Sequence, residues 1–490
     1  MDKVEYTKKL IGNLVKQARA ASMVQEELAL RTGTSKNTVS RLERGKGINS
    51  DTLLTILNQL EVLDPLIETI EKEYELVSNN PSRKSSLVER SYLMTSRAYV
   101  FIDGLENSPV ICGVVELEPK TNIGKFRYGQ SYLRRDDAFP LDPVHLPLLS
   151  DQFITRVNKG MFGAILDAGA DSWGKKLILS LHSTKPNNDL ELVLAGSGMG
   201  VGALTFSLSR SASKPKKNKN TLGDIPMLLQ GKRAILKNED IPEEVKKAFE
   251  YGSSMGGARP KTLIEDSGIN YLAKFNRPDD LYNVCLVEHA TMTMLEELDV
   301  RVAATSIVNS QQEDILLVER FDCDADRPTH HFLSANSLIN QEKLTNQALT
   351  ENYSYGALAE FIMKHGAEPR DAHELYTRMV FNILMGNTDD HSRNHAFLYS
   401  FSDKNWRLSP AYDVLPINNS RQHGIGIGVH GREGTLENAL SQSKRFGLSQ
   451  AKAKTIISSV QALTNEWISY FTKAGVPDTD IETLKGIIPL

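Results

Sequence analysis

The run Gly386-Asn-Thr-Asp-Asp-His-Ser-Arg-Asn394, followed by Leu408-Ser-Pro-Ala-Tyr-Asp413, decides how the rest of the chain is read. Asp389 and Asn394 have the D-x-x-x-x-N spacing of a phosphoryl-transfer loop. In such a loop the Asp accepts the proton of the acceptor hydroxyl and the Asn binds Mg²⁺. Asp413 ends a short strand-like run and is placed to be a second metal ligand. A few hard oxygen ligands suit Mg²⁺. A polar loop capped by Asp and Asn would explain the first run, but not the Asp that closes the second.

Phosphoryl transfer also needs a backbone cradle for phosphates and a Lys to neutralise them. Ser253-Ser-Met-Gly-Gly-Ala-Arg-Pro-Lys261 offers both. Gly256 and Gly257 leave N–H groups open to a phosphate, and Lys261 adds charge. A plain turn explains the glycine pair alone equally well. In Asn270–Phe275, alternation puts Lys274 on one face. Glu288 follows within an apolar helical stretch and needs a partner there, and Lys274 is the obvious one. The run Ile315-Leu-Leu-Val-Glu-Arg-Phe-Asp322 passes abruptly from apolar to charged. It fits either a simple strand end or a strand entering an interlobe hinge, with Phe321 packing on a base.

Working outward, strand-like runs at Asn270–Phe275 and Ile315–Phe321 precede helical stretches at Tyr282–Leu298, Ser354–His365 and Asp371–Met385. That predicts a two-lobed α+β domain with a cleft. Upstream, the runs AYVFI, VICGVVEL, KLILSL and ELVLAG are expected to be strands. The Ser-rich stretch 76–92 is expected to be a linker, and the Lys-rich stretch 211–224 a solvated surface loop or a nucleic-acid contact.

Near the N-terminus, Leu10, Ile11, Leu14, Val15 and Ala18 recur at helical spacing. Ser22 to Gln25 has a capping-box pattern that would start a second helix, which Gly33 ends. Ser35 caps a third helix, and a fourth starts near Ser50 and Asp51. Leu28, Ala29, Val39 and Leu42 would pack two helices across the Gly33 turn, while Lys36, Asn37, Thr38, Ser40 and Arg41 face outward. Such side chains reach base edges and phosphates in a major groove. Gln25 opens the second helix, where its amide could meet the DNA backbone or a base. Residues 1–60 hold ten Lys/Arg against six Asp/Glu, although the whole chain has a net charge of −4. An ordinary polar helical hairpin lacks this combination.

The 490 residues are 40% apolar and 24% charged, a soluble composition with room for several cores. Cys112, Cys285 and Cys323 are widely spaced, so neither a zinc site nor a disulfide framework is expected. No run approaches the length of a membrane span, and no secretory signal opens the chain. The expectation is a cytoplasmic protein without a membrane partner.

Two resemblances follow from these motifs. Gln25–Gly45 (QEELALRTGTSKNTVSRLERG) resembles the Xre/Cro-like helix-turn-helix family. Residues from about 99 to 470 resemble the HipA family of serine/threonine kinases, toxins of type II toxin–antitoxin systems. That resemblance rests on SSMGGARPKT, YLAKF, VERFD, GNTDDHSRNHAF and LSPAYD in this order. It implies that Asp389 is the catalytic base, that Asn394 and Asp413 are metal ligands, and that His391 lies near the phosphates. It further implies Lys274 as the ATP lysine, Glu319 and Phe321 as the hinge, and Ser254 as an autophosphorylated serine whose phosphate would expel the loop.

The family's antitoxin partner is normally a separate Xre-type protein. Here Asp390 replaces the family's usual glycine and adds a carboxylate beside the base, and Arg259-Pro260 replaces a Gln-Glu-like pair.

The expected fold class is therefore multi-domain: an all-α helix-turn-helix domain plus an α+β, two-lobed, protein-kinase-like (HipA-like) domain. Expected bounds are 1–75 for the helix-turn-helix domain, 76–92 for the linker and 93–230 for a HipA N-terminal-like α+β subdomain. An N-lobe-like region would span 231–325 and a mainly helical C-lobe-like region 326–490. The expected function is an ATP- and Mg²⁺-dependent protein Ser/Thr kinase toxin that autophosphorylates, with a fused antitoxin-like domain repressing its own promoter. Expected partners are double-stranded operator DNA, a protein substrate such as an aminoacyl-tRNA synthetase, and a second copy in a homodimer. The alternatives are a DNA-binding regulator with an ATP-binding but weakly active kinase-like domain, and a small-molecule phosphotransferase.

Overall fold

A computed structural model describes residues 3–67, 95–181, 185–214 and 219–237, with 239, 245, 248, 249 and 257 individually. From 259 to 489 it describes all but 326, 341–344, 367 and 419. The expected linker 76–92 lies outside the described residues.

The N-terminal unit comprises α1 (Lys3–Ala20), α2 (Gln25–Arg31), α3 (Lys36–Glu43) and α4 (Ser50–Gln59). Val15, Leu28, Ala29, Val39, Leu42, Ile56 and Leu57 form its core. Gly33 takes the left-handed conformation that the α2–α3 turn requires, at φ +64°. Ser35 caps α3 by accepting the Thr38 N–H. Ser22 does not cap α2. Its hydroxyl turns back to the carbonyls of Ala18 and Arg19, because the chain there is still closing α1, and Val24 occupies the N-cap without a side-chain bond.

Five antiparallel strands form the next unit: β1 (Arg97–Ile102), β2 (Val110–Glu118), β3 (Ile123–Tyr128), β4 (Phe153–Thr155) and β5 (Leu204–Ser207), in the order β4-β3-β2-β1-β5. AYVFI and VICGVVEL are strands as expected. KLILSL and ELVLAG are not. They lie in helices, α6 (Ser172–Leu181) and α7 (Asp189–Ala195), which follow the short α5 (Gly163–Asp167). Their apolar residues serve helical neighbours: Trp173 and Leu177 enter one core, and Ile178 meets Leu192 and Ala195. The Lys-rich stretch is not wholly solvated either. Lys214 is buried and donates to the Gly196 carbonyl at 2.6 Å, and buried Asn220 donates to Ala248 and Leu263.

The second sheet runs β6-β7-β9-β8, all antiparallel, from β6 (Lys261–Asp266), β7 (Ile269–Phe275), β8 (Thr305–Ser310) and β9 (Glu313–Glu319). The period-two alternation of β9 splits its residues between two cores. Ile315 and Leu317 pack with α8 (Ile225–Lys237) and Trp173, whereas Leu316 and Val318 join the main core with α9 (Val284–Glu296). Beyond the two-residue pair β10 (Cys323–Asp324) and β11 (Arg327–Pro328), the chain is mainly helical. The helices α10 (Ala335–Ile339), α11 (Tyr355–His365), α12 (Arg370–Leu384), α13 (Gln450–Thr464) and α14 (Trp467–Lys473) accompany a sheet of β12 (His330–Ser334), β13 (Ala396–Ser400) and β14 (Asn405–Leu408). Residues 385–395 connect α12 to β13. No described helix is long and apolar enough to cross a membrane.

The helix-turn-helix unit rests on the first α+β unit, α2 against α7. Leu30 is 1% exposed although it lies outside the core of its own unit. A Cβ on Gly33 would run into the Ser207 hydroxyl.

Trp173 ties α6 to the second sheet. Its indole donates to the Lys261 carbonyl at 2.9 Å, and its ring fills a core with Phe249 and Ala273. Trp173→Ala should cost about 3–5 kcal/mol, read as a shift in the chemical denaturation midpoint.

Candidate phosphoryl-transfer site

The site is organised around one ammonium group. Lys274, on β7, donates to Glu288 on α9 at 2.6 Å and to Asp413 at 2.7 Å. Glu288 is 2% exposed, so the pairing expected from sequence is present and sealed from water. Burial alone would discharge Lys274, but the two carboxylates hold its pKa well above the usual lysine value. Burial pushes Asp413 up, yet the Lys274 ammonium outweighs it and keeps that carboxyl ionised far below its ordinary range. Glu288 remains raised, chiefly by burial. Asp413 sits at φ +60°, a left-handed conformation Asp tolerates better than most residues. It is not on a strand, as the sequence suggested: β14 ends at Leu408, and the chain turns through Asp413.

Lys261 stands opposite Lys274 in the β6–β7 ladder. Burial first, and the neighbouring Lys274 charge second, lower its pKa to about 8. Gly257 has φ +95°, and a Cβ there would collide with the Lys261 ammonium, so glycine leaves that space open. The Gly257 carbonyl accepts the Trp173 N–H at 3.0 Å. Gly256 and Ser254 lie outside the described residues.

Across the cleft, residues 386–395 are mostly buried, with only Asp389 and Arg393 exposed. Asp389 is exposed, while Asn387, Asp390, Ser392 and His395 are buried. Desolvation raises the Asp389 pKa, with His391 opposing and the charges of Asp413 and Asp390 adding to the rise. Asn394 commits its amide nitrogen to the Asp389 carbonyl at 3.2 Å, and with Asp413 it borders a small cavity behind the loop. Among the described residues no three His, Cys, Asp or Glu converge as a metal cage. Asn394 with Asp413 is a sparse oxygen-bearing pair, the kind Mg²⁺ tolerates when phosphates and water complete its shell. His391 has a buried Nδ1 without a hydrogen-bond partner.

The Asp390 charge reaches Asp389, but its side chain is bonded elsewhere. It is 1% exposed, turned away from Asp389, and bound to Tyr355 and His395. Glu319 ends β9, with its N–H on the Ala304 carbonyl, and the Phe321 ring lies 5.8 Å from that of Tyr412. Tyr412 donates to the Arg393 carbonyl at 2.8 Å, linking the segment after β9 to the 386–395 loop.

Sequence reasoning missed several partners. Asp171, at the start of α6, pairs with Arg393 at 2.5 Å. Asp167, at the end of α5, accepts from the Ser334 N–H and hydroxyl and from the Ser337 hydroxyl at the cap of α10. Arg378 on α12 donates to the Ser409 carbonyl at 2.7 Å and positions the segment before Asp413. None carries a local motif, because each acts across more than one structural unit.

On the helix-turn-helix unit, Lys36, Asn37 and Arg41 are exposed, and Thr38 and Ser40 half-buried. Arg41 also donates to Gly47 at 3.3 Å. Lys36 pairs with Glu26 on α2, an exposed contact of little energetic weight. Gln25 is drawn inward: its amide donates to Glu43 at 2.6 Å, beside Arg19.

An antiparallel sheet and helical lobe facing each other across a charged cleft, behind a small helical unit, define a kinase-like α+β protein with an N-terminal helix-turn-helix. Comparison with known proteins matches two parts of the chain to family models. Residues 253–467 match the HipA-like C-terminal domain, and residues 15–64 match the helix-turn-helix family. The chain thus carries a HipA-like C-terminal domain and an Xre-like helix-turn-helix domain.

A Haemophilus influenzae protein provisionally classed as a kinase is 27% identical over 192 residues, 36% of this chain and 55% of that protein. The chain therefore spans about half the length of that relative. The structure of the Shewanella oneidensis MR-1 toxin–antitoxin complex of HipA, HipB and operator DNA aligns at a TM-score of 0.57 and 17% identity, over 78% of this chain and 93% of that one. At that identity the likeness concerns the fold.

Lys274→Met would leave Glu288 buried without its cation. The expected loss is about 3–5 kcal/mol at pH 7. A carboxyl with a raised folded pKa is least unfavourable when protonated, so the loss should shrink on acidification towards pH 5. Urea denaturation of both proteins at the two pH values checks this.

Proposed function

We propose that this chain is an ATP- and Mg²⁺-dependent protein serine/threonine kinase of the HipA type, and that its helix-turn-helix domain binds its own operator DNA. The observation that carries the kinase reading is the single Lys274 ammonium held between Glu288 and Asp413, facing a loop that exposes Asp389. Lys274 and Lys261 would bind the nucleotide phosphates, together with backbone N–H groups of Gly256 and Gly257. Glu319 and Phe321 would hold the adenine, and His391 would approach the phosphates. Asn394 and Asp413 would hold Mg²⁺, which when bound neutralises charge on the phosphates. Asp389, with its pKa raised by burial and nearby carboxylates, would take the proton from an acceptor hydroxyl. Ser254 is the expected autophosphorylation site.

Incubation with γ-labelled ATP and Mg²⁺ tests this. Label should appear on Ser254 and on a lysate protein, for which the family resemblance offers an aminoacyl-tRNA synthetase. Asp389→Asn should cut transfer at least about 100-fold. Equal labelling by wild type and variant would remove Asp389 from the chemistry. No labelling by either would leave a DNA-binding regulator.

The DNA reading rests on α3, where Lys36, Asn37 and Arg41 stay exposed while α2 is docked on α7. Asn37 and Arg41 are the strongest readers, and Gln25, bound to Glu43, the weakest. Arg41→Ala should weaken binding to the chain's own upstream DNA by about 1–3 kcal/mol. An unchanged affinity and salt dependence would rule Arg41 out as a contact.

A further inference from the structure

Apart from adding its charge to the rise in the Asp389 pKa, Asp390 has been given no role, yet it is among the most enclosed carboxylates in the molecule, at 1% exposed. Its Oδ1 accepts from His395 Nε2 at 2.8 Å, and its Oδ2 accepts from the Tyr355 hydroxyl of α11. That hydroxyl in turn accepts from Asn382 Nδ2 of α12 at 3.0 Å. Asn382 then uses its Oδ1 to accept from Asn387 Nδ2 at 3.1 Å. The chain of bonds starts at Asn387, near the head of the loop, passes through two helices, returns at Asp390 and finishes at His395. Each loop member is buried: Asn387 at 1%, Asp390 at 1% and His395 at 3%.

A second element closes over the same residues. His423 is buried, with Nδ1 4.0 Å from Asp390 Oδ2 and no hydrogen-bond partner on that nitrogen. Gly424 lies directly on the loop, where a Cβ would meet His391 and the Asp390 carbonyl. Asp390 is thus enclosed from below by α11 and α12 and from above by the His423–Gly424 segment.

We propose that Asp390 is a positioning residue for phosphoryl transfer. Its carboxylate pins the middle of the loop inward, so that Asp389 on one side and Asn394 on the other are held towards the cleft. The inference rests on the kinase reading for its functional consequence, and on geometry alone for its structural one. A buried charged acceptor bonded by two donors is costly to disturb. Loss of either donor leaves a polar atom stranded, and the loop regains freedom. The predicted defect is in the orientation of Asp389 and Asn394, not in nucleotide binding, because no phosphate-binding lysine belongs to the network.

The test uses the full chain. Asp390→Asn should lower kcat about 10–100-fold, the range for residues that orient the ligands of a metal site, with KM for ATP within about twofold. Tyr355→Phe should lower kcat less, and the two together should fall short of the product of the single effects. Independently of activity, amide exchange over residues 387–395 should speed up at least about tenfold in Asp390→Asn. Should that variant fail to fold, Tyr355→Phe supplies the kcat and exchange measurements.

A wild-type kcat in Asp390→Asn, a rise in KM with kcat unchanged, or unchanged exchange would overturn the proposal. Accelerated exchange in a protein that transfers no phosphate even as wild type would uphold the network and overturn the kinase reading instead.

Discussion

A buried ammonium group cannot stand alone, and the cleft is arranged around that constraint. Lys274 leaves a sheet interior where an unpaired charge would be strongly unfavourable, so carboxylates must come to it from two directions. Glu288 arrives from α9, and Asp413 from the segment after β14. One belongs to the sheet side of the cleft and the other to the helical side. The electrostatic need of one side chain therefore fixes the closure of two lobes. It also holds the Asp413 carboxyl below its ordinary pKa range.

The loop facing Lys274 obeys a different rule. Its charged and amide side chains divide into a buried set and an exposed set. Among the buried ones, Asn387, Asp390 and Ser392 find partners in α10, α11 and α12 or just before α11, while His395 and Asn394 bond within the loop. Of the two exposed residues, Arg393 is tied to Asp171, and Asp389 faces solvent. The first α+β unit adds struts from outside, through Asp171 on Arg393, Asp167 on the cap of α10, and Trp173 on the Gly257 carbonyl and Lys261. A region without a motif of its own thus braces both the β6 end and the 386–395 loop of the cleft.

Much of this was legible in the sequence where local chemistry decides structure. The Lys274–Glu288 pair followed from a lone acid on an apolar helix, and α3 followed from Ser35 and the Gly33 turn. The failures arose where distant contacts overrule local pattern. KLILSL and ELVLAG are apolar runs of a length that suits either strand or helix, and their helical form is set by Trp173, Leu177 and Ile178 meeting separate cores. Ser22 fits a capping pattern, but α1 claims it first. Asp390 was placed beside the base by sequence adjacency, whereas its side chain answers to Tyr355 and His395, and the latter's place in the fold is visible only in three dimensions. Lys214 belongs to a run that reads as solvent-loving and is buried because carbonyls at the end of α7 receive it.

The seat of α2 on α7 has a consequence for how the two halves respond to abundance. Two separate proteins joined by such a surface would part as a cell divides and their concentrations fall. Here both sides of the contact belong to one polypeptide, so the encounter is intramolecular and its occupancy is independent of dilution. Synthesis fixes the ratio of helix-turn-helix to kinase-like domain at one to one.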